Sequence, residues 1–158
     1  MAPAEDALLQ DPIGQDVVLL RQLLKLSSII SRPMALGVAS HFQVSTNELR
    51  VMMAIGGEGP LAGHDISERM AIPPMNVSRA LALLAERGWT ERVSDPGNRR
   101  RRPVQLSEKG WAAYRAMTPD IGAVADHVLG RLSKAERTSF DAILTKLIDQ
   151  VEGWQPPG

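Results

Sequence analysis

The sequence predicts a mainly α single domain carrying one small β-hairpin. Three observations lead there. Apolar residues recur at helical spacing through most of the 158 residues, and two S-x-x-E capping boxes mark helix starts. Only "WTERV" (89–93) and "PVQL" (103–106) alternate as strands do, and they flank a single loop. That loop, "SDPGNRRRR", ends in four consecutive arginines, Arg99 to Arg102.

Each element can be justified in order. Residues 1–12 read as a frayed N-terminus. "IGQDVVLLRQLLKLSSIIS" places apolar side chains at 13, 17, 20, 24 and again at 19, 23, 26, 30. Two adjacent stripes are more apolar surface than one small core needs. Pro33 interrupts the run, and a short helical piece follows through "ALGVASHF", completing an N-terminal helical unit over 13–44. "STNELRVMMAIGG" opens on the Ser45–Glu48 capping box and ends on a glycine pair. "GHDISERMA" is a short helix with Ile66 and Met70 on one side, and "IPP" breaks it.

In "PMNVSRALALLAERG", Val77, Leu81 and Leu84 face inward while Asn76, Arg79, Ala82 and Glu86 face outward. Pro74 suits the first helical turn and Gly88 the C-terminal cap. The hairpin follows and completes a lobe over 45–106. Residues 107–154 read as two C-terminal helices. The second opens on the Ser133–Glu136 box and carries the stripe Phe140, Ile143, Leu144, Leu147, Ile148, Val151.

Charge narrows the function classes. Eighteen basic residues balance eighteen acidic ones, so no global field draws the chain to a polyanion or a membrane. Residues 87–109, however, hold seven basic side chains against three acidic ones, a net of +4. Such a patch lets one face of a neutral body contact a polyanion. The absence of cysteine excludes disulfides, thiolate metal sites and cysteine redox sensing. His41, His64 and His127 are too scattered for a metal site, so neither metal nor cofactor is expected. No G-x-S-x-G, H-E-x-x-H or G-x-G-x-x-G occurs, and "GGEGP" lacks a phosphate loop's G-K-[ST], which argues against an enzyme. The acidic N-terminus lacks a signal peptide's basic start, and no stretch reaches the ~18 apolar residues that span a bilayer. The expectation is a cytoplasmic protein without membrane contact.

Two helices joined by a tight break, the second with a polar outward face, form a helix-turn-helix pattern. A strand–basic loop–strand hairpin directly after it is a wing. A helix about 10–12 Å across fits the ~12 Å major groove of B-DNA. Met75, Asn76, Ser78 and Arg79 then reach base edges and phosphates, while Asn98 and Arg99 to Arg102 serve the wing. The competing readings are a solvated arginine turn beside ordinary exposed helix residues, and a winged-helix protein-interaction module without specific DNA binding.

"ELRVMMAI", "DISERMAIPPMNVSRALALLAERGWTERV" and "DPGNRRRRPVQLSEKG" resemble the multiple-antibiotic-resistance regulator (MarR) family of bacterial winged helix-turn-helix proteins. The resemblance covers roughly residues 45–115. It rests on L-x-x-x-G-W-x-x-R (Leu84, Gly88, Trp89, Arg92), the wing, and L-S-x-K-G (Leu106, Ser107, Lys109, Gly110). It implies a homodimer, built from the N- and C-terminal helices, that binds a palindromic operator on double-stranded DNA at the nucleoid. It also implies repression relieved by a small effector. Leu20, Leu24, Phe140, Leu144, Leu147 and Val151 are the dimer-interface candidates, on stripes that a lone chain would leave wet.

By the same resemblance, an aromatic or anionic effector lodges between the dimerising helices and the lobe. His41, Arg50, Trp111 and Tyr114 are the nearby candidates, with Arg50 either pairing an anionic ligand or forming an internal ion pair. Two positions depart from the family. Its wing usually reads Asp-x-Arg, the acid bracing a minor-groove arginine, whereas the matching residues here are Asn98 and Arg100. The turn before the recognition helix often holds glycine, whereas Ala71 stands there.

Overall fold

A computed structural model describes residues 14–158. The N-terminal segment 1–12 and Ile13 of the first stripe lie outside the described residues. The elements run α1 (Gln15–Met34), a π-helical turn (Ala35–Ala39), α2 (Thr46–Glu58), α3 (Gly63–Met70), α4 (Pro74–Glu86), β1 (Thr90–Arg92), β2 (Val104–Leu106), α5 (Glu108–Leu129) and α6 (Lys134–Glu152). The chain is mainly α with one antiparallel hairpin, as expected. Thr90 stands opposite Leu106 and Arg92 opposite Val104. A further rung comes from the segment before α3. Leu61 and Val104 exchange two backbone hydrogen bonds of 3.1 and 2.8 Å, tying the hairpin base to the start of the helix-turn-helix.

Both capping boxes form reciprocally, Ser45 with Glu48 and Ser133 with Glu136. Two expectations about helix ends are corrected. The helix α2 does not stop at the glycine pair. It runs through Gly56 and Gly57 to Glu58 and ends at Gly59, whose φ of +86° suits only glycine. Gly56 is small for a packing reason, because a Cβ there would lie 3.0 Å from the Tyr114 ring. Nor does Pro33 break its helix, since α1 continues to Met34 and the chain then widens its pitch. The Ser40 N–H bonds the Ala35 carbonyl at 2.9 Å and the Val44 N–H the Ala39 carbonyl at 3.0 Å. The chain thus continues past Pro33 as a wider helical turn and does not stop there.

Leu49, Met52 and Ile55 of α2, Ile66 of α3, and Val77 and Leu84 of α4 are fully buried against Leu106 and Met117. Burying each such side chain contributes about 1.5–3 kcal/mol. This core fixes which face of α4 turns outward. By contrast, α1 and α6 contribute no buried residue.

The turn between α3 and α4 is left-handed at Ala71, with φ of +49°. Its carbonyls are satisfied by side chains. Arg50 Nη2 donates to the Met70 carbonyl at 2.7 Å, and Ser67 Oγ donates to that of Ile72 at 2.7 Å. The turn thus adopts a glycine-type conformation without glycine.

Candidate nucleic-acid interface

Pro73 caps α4 and Pro74 occupies its first turn, so the helix begins without two backbone donors. With Val77, Ala80 and Leu84 buried, its other face is offered to solvent. Met75 is 76% exposed, Ser78 and Arg79 are exposed, and Asn76 is half-buried. At the far end Gly88, with φ of +71°, lets the Trp89 N–H close on the Leu84 carbonyl at 3.0 Å.

Trp89 leads directly into β1, and its backbone is gripped from α5. The Ser107 N–H bonds the Trp89 carbonyl at 3.0 Å, and Ser107 Oγ donates to the Gly88 carbonyl at 2.6 Å. Any Cβ on Gly110 would collide with the Trp89 carbonyl oxygen. The Gly88–Trp89 and Leu106–Gly110 signatures are therefore two halves of one junction, which holds the wing to the end of α4.

Inside the wing, Asp95 Oδ1 accepts the Gly97 N–H at 3.1 Å. Asn98 Oδ1 accepts the N–H groups of Arg100 at 3.1 Å and Arg101 at 3.3 Å. Asn98 thus shapes the loop backbone rather than holding the Arg100 guanidinium. The acid brace falls on a different arginine. Arg101 Nη1 lies 3.2 Å from Asp95 Oδ2, and its Nη2 lies 2.5 Å from Asp65 Oδ2 on the first turn of α3. Asp65 also accepts the Ala62 N–H at 2.9 Å.

The Arg101 hydrogen bond holds the Asp65 carboxyl below the ordinary carboxylate range, outweighing partial desolvation, and the Ala62 N–H adds to it. The same pairing raises the Arg101 guanidinium. Nothing in the sequence marks Asp65 or Asp95, because the acids and the arginine meet only through the fold. The side chains of Arg79, Arg99, Arg100 and Arg102 make no hydrogen bond or ion pair with the other described residues. Arg92, Arg99, Arg101 and Arg102 line a hollow of about 520 Å³ on the wing.

The effector candidates do not converge on one cavity. His41 Nδ1 lies 3.0 Å from Asp120 Oδ2, Arg50 serves the Met70 carbonyl, and Trp111 meets Tyr114 edge-on at 5.9 Å. A cleft of about 890 Å³ lies elsewhere, between Leu23 of α1, Arg69 and Ala71 beside the turn, and Leu144, Leu147 and Ile148 of α6. The dimer candidates Leu20, Leu24, Leu147 and Val151 are exposed, while Phe140 and Leu144 are half-buried. Among the described residues, no three metal-ligating side chains cluster and no helix is long and apolar enough to cross a membrane.

Comparison with known proteins assigns the arrangement. The model of the MarR family matches residues 42–101, from the end of the N-terminal unit into the arginine loop. The HTH-type transcriptional repressor NicR of Pseudomonas putida is 26% identical over 110 residues, 70% of each chain. A MarR-family regulator from Silicibacter pomeroyi superposes with a TM-score of 0.70 at 21% identity, over 90% of this chain and 94% of that one. Bordetella bronchiseptica BpsR, whose DNA binding is regulated by 6-hydroxynicotinic acid, superposes at 0.66 with 22% identity, over 84% and 98%. Family match, relatives and architecture agree, and the relatives are transcriptional regulators rather than enzymes. The chain carries a MarR-family domain over residues 42–101, and the proteins it resembles in sequence and fold are transcriptional regulators of that family.

Proposed function

We propose that the protein is a cytoplasmic repressor that binds a palindromic operator as a homodimer and is released by a small aromatic or anionic effector. The observation that carries this reading is the pairing of a solvent-facing polar end of α4 with three wing arginines that no acid among the described residues neutralises. In this reading Met75, Asn76, Ser78 and Arg79 meet major-groove edges and phosphates, and Arg99, Arg100 and Arg102 flank them.

Homodimerisation is supported by the exposed leucines of α1 and the exposed stripe of α6, which a lone chain leaves in water. The 13–44 and 107–154 segments are then the dimerising units, and 45–106 is the reading lobe. For the effector, the partly exposed Trp111–Tyr114 pair offers an aromatic surface, His41 and Arg50 are separate polar candidates, and 6-hydroxynicotinic acid acting on BpsR supports the chemical class.

The test begins with a duplex that the protein enriches from a randomised library. Arg79→Ala or Asn76→Ala should each cost about 1–3 kcal/mol on that duplex by fluorescence anisotropy, with folding unchanged. Equal binding of the enriched and a scrambled duplex by wild type removes the assignment in favour of a protein-interaction module.

A further inference from the structure

We infer that Arg87 is a positioning residue that fixes the angle of α4, and the base of the wing, relative to the segment descending from α1. Through it the protein reads half-site spacing as well as bases. This rests on the dimeric DNA-binding reading above.

Arg87 is the C-terminal cap of α4, and its guanidinium touches three other parts of the chain at once. Nη2 donates to the Gln43 carbonyl at 2.6 Å, in the turn where the N-terminal unit enters the lobe. Nε stands 3.6 Å from Glu48 Oε1 at the start of α2. Cζ lies 4.9 Å from the centroid of the Trp89 ring, which begins the wing. Four segments therefore meet at one side chain.

Glu48 makes this contact consequential. It is the one charged residue buried in the described chain, at 3% exposure. Its Oε2 accepts the Ser45 N–H at 2.8 Å, while Oε1 is buried with no hydrogen bond at all. A buried carboxylate oxygen without a donor is costly, and Arg87 is the cation facing it. A planar guanidinium stacks on an indole while its edge serves a carbonyl and a carboxylate, which a lysine ammonium does not do.

Leverage follows from the helix length. The 13 residues of α4 put Met75 about 18 Å from Arg87, so a tilt of about 5° at the capped end moves the reading end by about 1.5 Å. That displacement is enough to break a hydrogen bond to a base edge.

The test uses three probes: the library-enriched duplex, the same duplex with one base pair inserted at its centre, and a scrambled duplex. Wild type should discriminate against the insertion by about tenfold or more. Arg87→Lys keeps the charge but not the fork. It should lose about tenfold on the enriched duplex, accept both spacings within about twofold, and bind the scrambled duplex as wild type does. Glu48→Gln still accepts the Ser45 N–H and should shift discrimination the same way, with the double variant no worse than the worse single one. Should Arg87→Lys melt below the assay temperature, Glu48→Gln decides alone.

Wild-type spacing discrimination in the folded variants overturns the inference. So does a loss of equal size on all three duplexes, which marks a purely structural role. Absence of any wild-type preference for the enriched duplex removes the DNA-reading assignment first and this inference with it.

Discussion

Arg101 joins the wing to the helix-turn-helix through Asp65, Nη2 to Oδ2 at 2.5 Å, while its Nη1 holds Asp95 within the wing. One of the four wing arginines is thus neutralised inside the fold. The cluster has two jobs: Arg101 orients the hairpin, and Arg99, Arg100 and Arg102 supply its external charge.

That division sets the salt dependence of DNA binding. Each arginine that neutralises a phosphate contributes about one unit of slope in log affinity against log salt. Arg99→Ala and Arg102→Ala should therefore each flatten the slope by about one unit per half-site. Arg101→Ala should flatten it by much less while loosening the wing, so its loss shows in affinity at every salt concentration. Arg100→Ala should weaken binding most on duplexes with A·T-rich flanks, where the minor groove narrows. Titrations at several salt concentrations decide the matter. An Arg101→Ala slope change equal to that of its neighbours would place Arg101 on phosphate instead.

Acid should loosen the same tether. The Asp65 carboxyl is depressed in the folded state, mainly by its hydrogen bond from Arg101. A depressed acid contributes stability that is fully present above its unfolded value, about 3.9, and is lost as pH falls through the lower folded value. Asp65→Asn keeps an oxygen for the Ala62 N–H and removes the charge together with one acceptor oxygen. The difference in melting temperature between wild type and Asp65→Asn should hold steady from neutrality to about pH 5 and shrink below about pH 4. A difference that grows on acidification contradicts the assignment.

The turn at Ala71 stores mild strain. Its φ of +49° costs an L-residue roughly 1–2 kcal/mol, part of which glycine returns as greater freedom of the unfolded chain. Ala71→Gly should stabilise the protein by about 0.5–1 kcal/mol in urea denaturation, with DNA affinity unchanged. Destabilisation would mean that the Ala71 methyl packs more usefully than its backbone is strained.

What was legible in the sequence was local. Capping boxes, helical stripes and the two flanking strands each occupy a short window, and they account for the helix order and the wing. The misses are contacts made across the fold. Asp65 meets Arg101, Gln43 meets Arg87, and Leu61 pairs Val104, each across more than thirty residues without any periodic signature. Motif spacing pointed to Asn98 and Arg100 as the braced pair, yet the loop's own hydrogen bonds turn Asn98 onto the backbone and bring Arg101 to the acids. Pro33 predicted a break because a missing donor is equally compatible with a stop and with a change of pitch. Gly56 resembled a helix end because its reason for being small, the Tyr114 ring, arrives from α5.

The stripe on α6 allows assembly to be tested without endangering the fold. No residue of α6 is buried in the single chain, and Leu147 is 42% exposed. A charge at Leu147 therefore disturbs little within the chain, but it must be desolvated if a second copy covers the stripe. Leu147→Asp should weaken self-association by about a hundredfold or more, since an unpaired carboxylate buried in an apolar interface costs several kcal/mol. Sedimentation at micromolar concentration should find wild type dimeric and Leu147→Asp largely monomeric, and circular dichroism should find the variant's helices intact. On DNA, the variant should keep weak scrambled-duplex binding, because that depends on the wing charges, and lose the enriched duplex, because one lobe reads only half of it. A Leu147→Asp protein that remains a dimer would move the interface off α6. A monomeric wild type that still prefers its enriched duplex would overturn the two-fold reading while leaving the winged helix as the reading head.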